Sequence, residues 1–247
     1  LALRDAGVNR LSLGLQTGSD ALLKEIGRKH TVADFFEIYE EAHKLGCFAI
    51  SIDLMYNLPG QSVRCCLESL EYVLSLNPEH MSLYGLHVED QTLFSKRRIE
   101  PDEDFGREMF ERSLERLAAA GLHHYEISNF AKPGFEAQHN MLYWKNGEYV
   151  GLGCGAASYV DGVRSSNHDR LLAYLQSVEA GNRPIAESEM LLGKEALGEE
   201  AMLGLRLVDG FVPTLEMEAA FGWEISLLEK RGMLLREGRR LRLSREG

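Results

Sequence analysis

Two short stretches constrain the fold of this chain more than any others, because each alternates apolar with polar or small residues at a period of two. In Arg10–Gln16, Leu11, Leu13 and Leu15 share one face, and Ser12, Gly14 and Gln16 share the other. In Ala49–Met55, Ile50, Ile52 and Leu54 oppose Ser51, Asp53 and Met55. Successive side chains of a strand point to opposite sheet faces, so both stretches read as strands. Between them the spacing predicts a helix in two pieces, broken near Gly27, with Thr31 as N-cap of the second piece. Asn57-Leu58-Pro59-Gly60 is a turn, and Gln61–Leu76 is an amphipathic helix stopped by Asn77-Pro78. Met81–His87 is a third strand, whose facing the pattern leaves open. This alternation implies a parallel sheet with right-handed crossovers.

The facing carries a functional message. Parallel strands in a layered sheet are usually apolar on both sides, and a packed (β/α) barrel fills its interior with branched aliphatics. A face of Ser, Gly, Gln and Asp leaves room for a polar ligand. Gln16 and Asp53 stand at or near the C-terminal ends of their strands, where such folds bind ligands. The structural alternative is that Asp53 pairs with an arginine and Gln16 caps a loop. Three strands do not close a barrel. The expectation is that further strands precede Leu1, or that the sheet has an open edge and the chain is poorly soluble. The start L1-A-L-R-D-A-G-V lacks a methionine and a secretory leader, and reads as part of a longer chain.

Glu89–Arg98 is polar and irregular. A helix is predicted over Asp102–Ala120, with Pro101 before it and acids at its start. His124–Ile127 is a short strand on which His123 and His124 face opposite ways. Helices follow over Arg170–Ala180, Leu191–Leu207, Thr214–Phe221 and Ile225–Arg231, and then a hairpin turning at Glu237-Gly238. The stretch Tyr125–Tyr159 stands out within this part. It contains Y125-E-I-S-N-F-A-K-P-G134, H139-N-M-L-Y-W144 and G151-L-G-C-G-A-A-S-Y159. A histidine, several aromatics and a glycine-rich turn together suit a flat, aromatic, partly anionic ligand. The alternative is that His139 and Asn140 tie a loop down and Trp144 is core.

No apolar run is long enough to span a membrane as a helix. The formal net charge of -11 argues against a general nucleic-acid binder. The basic run from Lys230 to Arg245 reads as a solvated face. Cys47, Cys65, Cys66 and Cys154 include no C-x-x-C pair. They read as free thiols of a cytoplasmic protein, and no zinc or iron–sulfur site can be assembled from them.

Several segments together resemble the HemW-type heme chaperones. These are G7-V-N-R-L-S-L-G-L-Q16, G27-R-K-H-T31, S51-I-D-L-M-Y-N-L-P-G-Q61, H80-M-S-L-Y84, Y125-E-I-S-N-F-A131, H139-N-M-L-Y-W144 and L197-G-E-E-A-M-L-G-L-R206. That family is related to the oxygen-independent coproporphyrinogen III oxidases, and both belong to the radical S-adenosylmethionine (SAM) enzymes. The H-N-x-x-Y-W run favours the chaperone branch; oxidative decarboxylation of coproporphyrinogen III is the alternative activity.

The resemblance implies an α/β chain: the C-terminal portion of a partial (β/α)6 radical-SAM barrel with about three parallel strands, then a helical, winged-helix-like C-terminal domain. The corresponding divisions are 1–100 for the half-barrel, 101–190 for a connecting region with the H-N-x-x-Y-W segment, and 191–247 for the last domain. The resemblance also implies a parent protein with SAM and a 4Fe-4S cluster, whose C-x-x-x-C-x-x-C motif is absent from this sequence. By motif position, Gln16, Arg28 and Asp53 match residues that contact SAM. His139 is the implied axial ligand to heme iron, with Tyr143 and Trp144 packing on the macrocycle. The implied partners are heme, a heme-accepting protein and, peripherally, membrane heme proteins, with no nucleic acid. Two departures stand out. Cys154 and Ala157 occupy positions where the family often has proline and histidine, so Cys154 becomes a candidate thiolate ligand. Q16-T-G-S replaces Q-S-F, which is expected to loosen the loop beside the SAM site.

Overall fold

The leucine and isoleucine stripes become the buried side of a sheet in the computed structural model, which describes residues 2–246. The chain divides into two units, Leu1–Glu136 and Ala137–Gly247. In chain order the first contains α1 (Ala2–Asp5), β1 (Arg10–Gln16), α2 (Asp20–Glu25), α3 (Val32–Lys44), β2 (Ala49–Tyr56), α4 (Val63–Leu74), β3 (His80–Gly85), α5 (Leu93–Lys96), α6 (Glu103–Ala119), β4 (His123–Glu126) and β5 (Asn129–Ala131).

The strand order is β1-β2-β3-β5-β4. β1, β2 and β3 are parallel, and β5 runs antiparallel to both β3 and β4. The helices begin where their caps dictate. Thr31 and Asp34 form a reciprocal capping box at α3, Ser62 accepts from the Cys65 N–H at α4, and Asp102 accepts from the Phe105 N–H at α6. Their apolar faces meet the sheet in one core: Phe35 and Tyr39 of α3, Leu70 and Val73 of α4, Leu117 of α6, against Leu15, Ile50, Ile52, Leu54, Met81, Leu83 and Phe130. Each such side chain contributes about 1.5–3 kcal/mol on burial. The facing of β3 is now fixed, with Met81 and Leu83 in the core and His80 and Ser82 on the opposite, polar side. β3 ends at Gly85, not His87, where the Tyr56 ring lies 3.0 Å from the place a Cβ would occupy.

The sequence reading did not find β5. The hairpin it forms with β4 extends the parallel sheet, so residues 103–131 belong with the first unit. The boundary between the two units falls between Glu136 and Ala137.

The second unit contains α7 (Gln138–Trp144), β6 (Ala157–Val160), β7 (Val163–Asn167), α8 (Leu171–Glu179), β8 (Ile185–Met190), α9 (Lys194–Gly204), α10 (Leu215–Lys230), β9 (Leu234–Glu237) and β10 (Arg240–Leu243). β6, β7 and β8 form an antiparallel sheet that the sequence reading also lacked. Its first turn is Asp161-Gly162, with φ of 51° and 74°, the geometry of a tight hairpin turn. The two short helices expected over Thr214–Arg231 are one kinked element, with Phe221 at φ -124° and ψ 16°. Glu237 pairs with Arg240, so the last turn is Gly238-Arg239, one residue later than expected. Ile225, Leu234 and Leu241 are the buried centre of this part.

Candidate functional site

The polar face of the first sheet carries a continuous run of hydrogen bonds. The Ser12 hydroxyl donates to Asp53 Oδ2 at 2.6 Å, and the Ser51 hydroxyl lies 3.4 Å from Asp53 Oδ1. Ser51 Oγ is also 2.8 Å from His80 Nδ1, and His80 Nε2 is 2.8 Å from the Tyr125 hydroxyl. A neutral imidazole donates through one nitrogen and accepts through the other, so both bonds form together. Burial pushes the His80 imidazole down to about 4, and the nearby Arg10 charge acts in the same direction; the ring is neutral at pH 7. The arginine expected as an alternative partner for Asp53 is not the one used: two serines hold the carboxylate.

Gln16 and Asp53 stand on neighbouring strands. Gly14 is opposite Asp53 in the β1–β2 register, and after an irregularity Gln16 is opposite Leu54. Gln16 is buried, with φ 71°. A Cβ on Gly14 would lie 2.3 Å from Gln16 Nε2, so Gly14 is the gap that receives this amide. Arg28 lies on the exposed turn after Gly27, where its N–H donates to the Leu23 carbonyl at 2.8 Å, and it forms no hydrogen bond with Gln16 or Asp53. The loop after Gln16 is not loosened as expected. Thr17 is fully buried, the Gly18 N–H donates to Ser69 Oγ at 2.9 Å, and the Ser69 hydroxyl donates to the Cys65 carbonyl at 2.8 Å.

In the second unit, His139, Tyr143 and Trp144 line one cavity of about 640 Å³ with Tyr149, Arg164 and Leu203. The local fold explains the grouping. His139 and Tyr143 are four residues apart on α7 and share a face, and their rings meet edge to face at 4.6 Å. Tyr143 in turn meets Tyr149 at 4.5 Å. α7 ends with Asn146 at φ 53°, donating from its N–H to the Tyr143 carbonyl, while the Gly147 N–H donates to the Leu142 carbonyl. This is a Schellman-type end, and Asn146 tolerates the left-handed position that it requires. The same turn aims the Asn146 side chain at Arg164: Arg164 Nη2 donates to Asn146 Oδ1 at 2.9 Å, and Nε donates to Glu199 Oε1 at 2.6 Å. The guanidinium stacks over Tyr159, its cross-strand neighbour, at 4.2 Å. Burial works against the Arg164 charge, but the Glu199 hydrogen bond and charge outweigh it and hold the pKa above the ordinary value.

His139 and Asn140 form no side-chain hydrogen bonds among the described residues, which goes against their tying a loop down. Trp144 is half-buried on the cavity wall with the Arg206 guanidinium 4.9 Å from its ring, so it is not core. The Cys154 thiol sits 3.1 Å from the carbonyls of both His168 and Asp169 and is not on the cavity wall, whereas Ala157 is. Gly151 is there for packing, because a Cβ would lie 2.0 Å from the Ala157 carbonyl oxygen. Sequence reasoning missed His80, Tyr149, Arg164 and Glu199.

The first unit is of the radical SAM class, for the family model described as the Radical SAM superfamily matches residues 1–73. The chain is 38% identical over 257 residues to heme chaperone HemW of Lactococcus lactis subsp. lactis (strain IL1403), covering 99% of this chain and 67% of the relative. It is 41% identical over 213 residues to heme chaperone HemW of Bacillus subtilis (strain 168), covering 84% and 56%. The chain belongs to the HemW heme chaperone family. It spans between about half and two thirds of the length of these relatives. A solved structure of coproporphyrinogen III oxidase (HemN) from Escherichia coli, a radical SAM enzyme, matches with a TM-score of 0.80 at 19% identity, over 98% of this chain and 62% of that one. That likeness is one of fold.

Proposed function

We propose that this chain is the heme-binding portion of a heme chaperone, which holds heme and passes it to heme proteins in the cytoplasm or at the membrane surface. The observation that carries the reading is the cavity of about 640 Å³ in which His139, Tyr143, Tyr149 and Trp144 converge. The residues fit the group. Among the described residues the His139 ring forms no hydrogen bond, which leaves it available to iron, and the aromatic walls suit a flat macrocycle. Bound heme would supply an iron centre able to take an imidazole ligand. The three parallel strands are part of a larger (β/α)6 barrel in the whole protein, and α9, α10 and the β9–β10 hairpin form a small winged-helix-like module. Two of the module's arginines are engaged with acids, Arg236 with Glu218 and Glu229 and Arg242 with Glu237, and the net charge of -11 disfavours a nucleic-acid role. In the whole protein Gln16, Asp53 and Arg28 contact SAM: Asp53 and Gln16 hold the ribose hydroxyls and Arg28 the carboxylate. The 4Fe-4S cluster takes its ligands from outside this sequence.

Titration with ferric heme tests the reading. A Soret shift is expected that His139→Ala weakens at least several-fold; the same spectrum in wild type and variant removes His139 as the ligand. The second reading, coproporphyrinogen III oxidation, is favoured only by the likeness of fold to HemN. Decarboxylated product from the full-length, cluster-reconstituted protein with SAM and reductant would establish it in place of a pure chaperone.

A further inference from the structure

We propose that Arg164 receives a carboxylate of the bound porphyrin and thereby sets the orientation of the macrocycle, an inference that rests on the heme reading above. Arg164 lines the same cavity as His139. Its guanidinium is held on three sides: Nε by Glu199 at 2.6 Å, Nη2 by Asn146 at 2.9 Å, and one flat face by Tyr159 at 4.2 Å. What remains is Nη1, whose one neighbour among these is the Tyr149 hydroxyl at a long 3.4 Å. Tyr149 also lines the cavity, so its wall carries one cationic and one neutral hydrogen-bonding group side by side. No Asp or Glu is among the residues lining it; Glu199 braces the arginine from α9.

Arginine has five N–H donors in a rigid fork matched to carboxylates. A guanidinium fixed before its ligand arrives loses little side-chain freedom on binding, which is how an anion receptor gains both affinity and direction. Heme offers a central iron for an imidazole and two peripheral propionates. His139 would hold the iron and Arg164 a propionate, two points of attachment that together would set the orientation of the macrocycle.

The alternative role of this ion pair between α9 and β7, at 27% and 18% side-chain exposure, is that of a structural staple. A staple predicts that Arg164 variants weaken every ligand alike. A receptor predicts a loss that depends on the ligand's carboxylates. The full-length protein is therefore titrated with ferric heme and, separately, with ferric heme dimethyl ester, both followed by the Soret band. Wild type is expected to bind the free acid about tenfold or more tighter than the diester, the range of a charge-assisted hydrogen bond. Arg164→Gln brings that ratio to near one while leaving diester affinity close to wild type, and Arg164→Lys, which keeps the charge and guards against misfolding of the Gln variant, retains part of it. A ratio near one in wild type, or a ratio unchanged by either substitution, overturns the role of Arg164 and leaves the heme reading standing if His139→Ala still weakens the Soret shift. No Soret shift with either compound in wild type removes the heme reading and this inference together.

Discussion

Replacing His80 with asparagine turns the buried hydrogen-bond run on the sheet face into a measurable pH dependence. His80 is 2% exposed, and its imidazole is held at about 4, against 6.5 for a free ring. Because the folded value is the lower one, the unfolded chain binds more protons between these limits. Stability is therefore fully present above about pH 6.5 and is lost as pH falls toward 4, by about 1.4 kcal/mol per pH unit at most and about 3 kcal/mol in total. The shorter amide of the His80→Asn variant can still meet Ser51, but it does not titrate and cannot reach the Tyr125 hydroxyl, now 2.8 Å from His80 Nε2. At pH 7.5 the variant should be less stable by about 1–3 kcal/mol, for the lost hydrogen bond and ring packing. On acidification the wild type should lose that advantage, and the two stabilities should meet or cross near pH 5. The half-buried His124 imidazole is also lowered, first by desolvation, but it is present in both proteins and cancels in the difference. Urea unfolding followed by far-UV circular dichroism from pH 4.5 to 7.5 supplies the comparison. Trp144 and Trp223 both belong to the second unit, so tryptophan fluorescence follows that unit separately. Wild-type and variant stability curves that run parallel from pH 7.5 to 4.5 would refute the assignment of a neutral, desolvated His80.

Gly210→Ala should destabilise the second unit by about 2 kcal/mol or more, since φ is 65° and the new Cβ would lie 1.8 Å from the Leu241 carbonyl oxygen where Phe211 bridges Leu241; an unchanged urea midpoint by tryptophan fluorescence contradicts this. In the full-length, cluster-loaded protein, Asp53→Asn should weaken SAM binding by about tenfold, the size of one charge-assisted hydrogen bond. Equal dissociation constants by calorimetry would remove Asp53 from the SAM contacts.

Much of the first unit was legible because its signals are periodic and local. Leu11, Leu13, Leu15 and Ile50, Ile52, Leu54 announce two strands and their buried side, and Thr31 and Pro101 mark helix starts. β5 escaped because Asn129-Phe130-Ala131 is three residues long, too short for any period, and pairs across the sheet. β6 and β7 escaped because they are rich in Ser, Ala and Arg, so they lack an apolar stripe; the Asp161-Gly162 turn was the available signal. His139, Tyr143 and Trp144 were legible as a cluster of candidates in one segment, but not as the helix α7 that groups them. Arg164 was not, because its partners Asn146, Tyr159 and Glu199 come from a helix end, a neighbouring strand and another helix, and only the folded chain brings them together.

Backbone strain separates the candidate sites from ordinary turns. Non-glycine residues with positive φ include Asn57, Asn77, Asn146 and Asp161, residue types whose short polar side chains make the conformation cheap. Gln16 has no such compensation: its longer side chain gains nothing from the left-handed region, which costs about 1–2 kcal/mol. Gln91 and Arg98 adopt the same region but on the exposed surface, whereas Gln16 is 8% exposed at the end of β1. The fully buried Thr17 that follows it and the bonds from Gly18 to Ser69 hold the strained residue in place. A fold that only needed a turn there would be more stable with Asn or Gly. A buried glutamine, over a glycine that makes room for its amide and one register step from Asp53, is the feature of this strand end that the proposed SAM contact would account for.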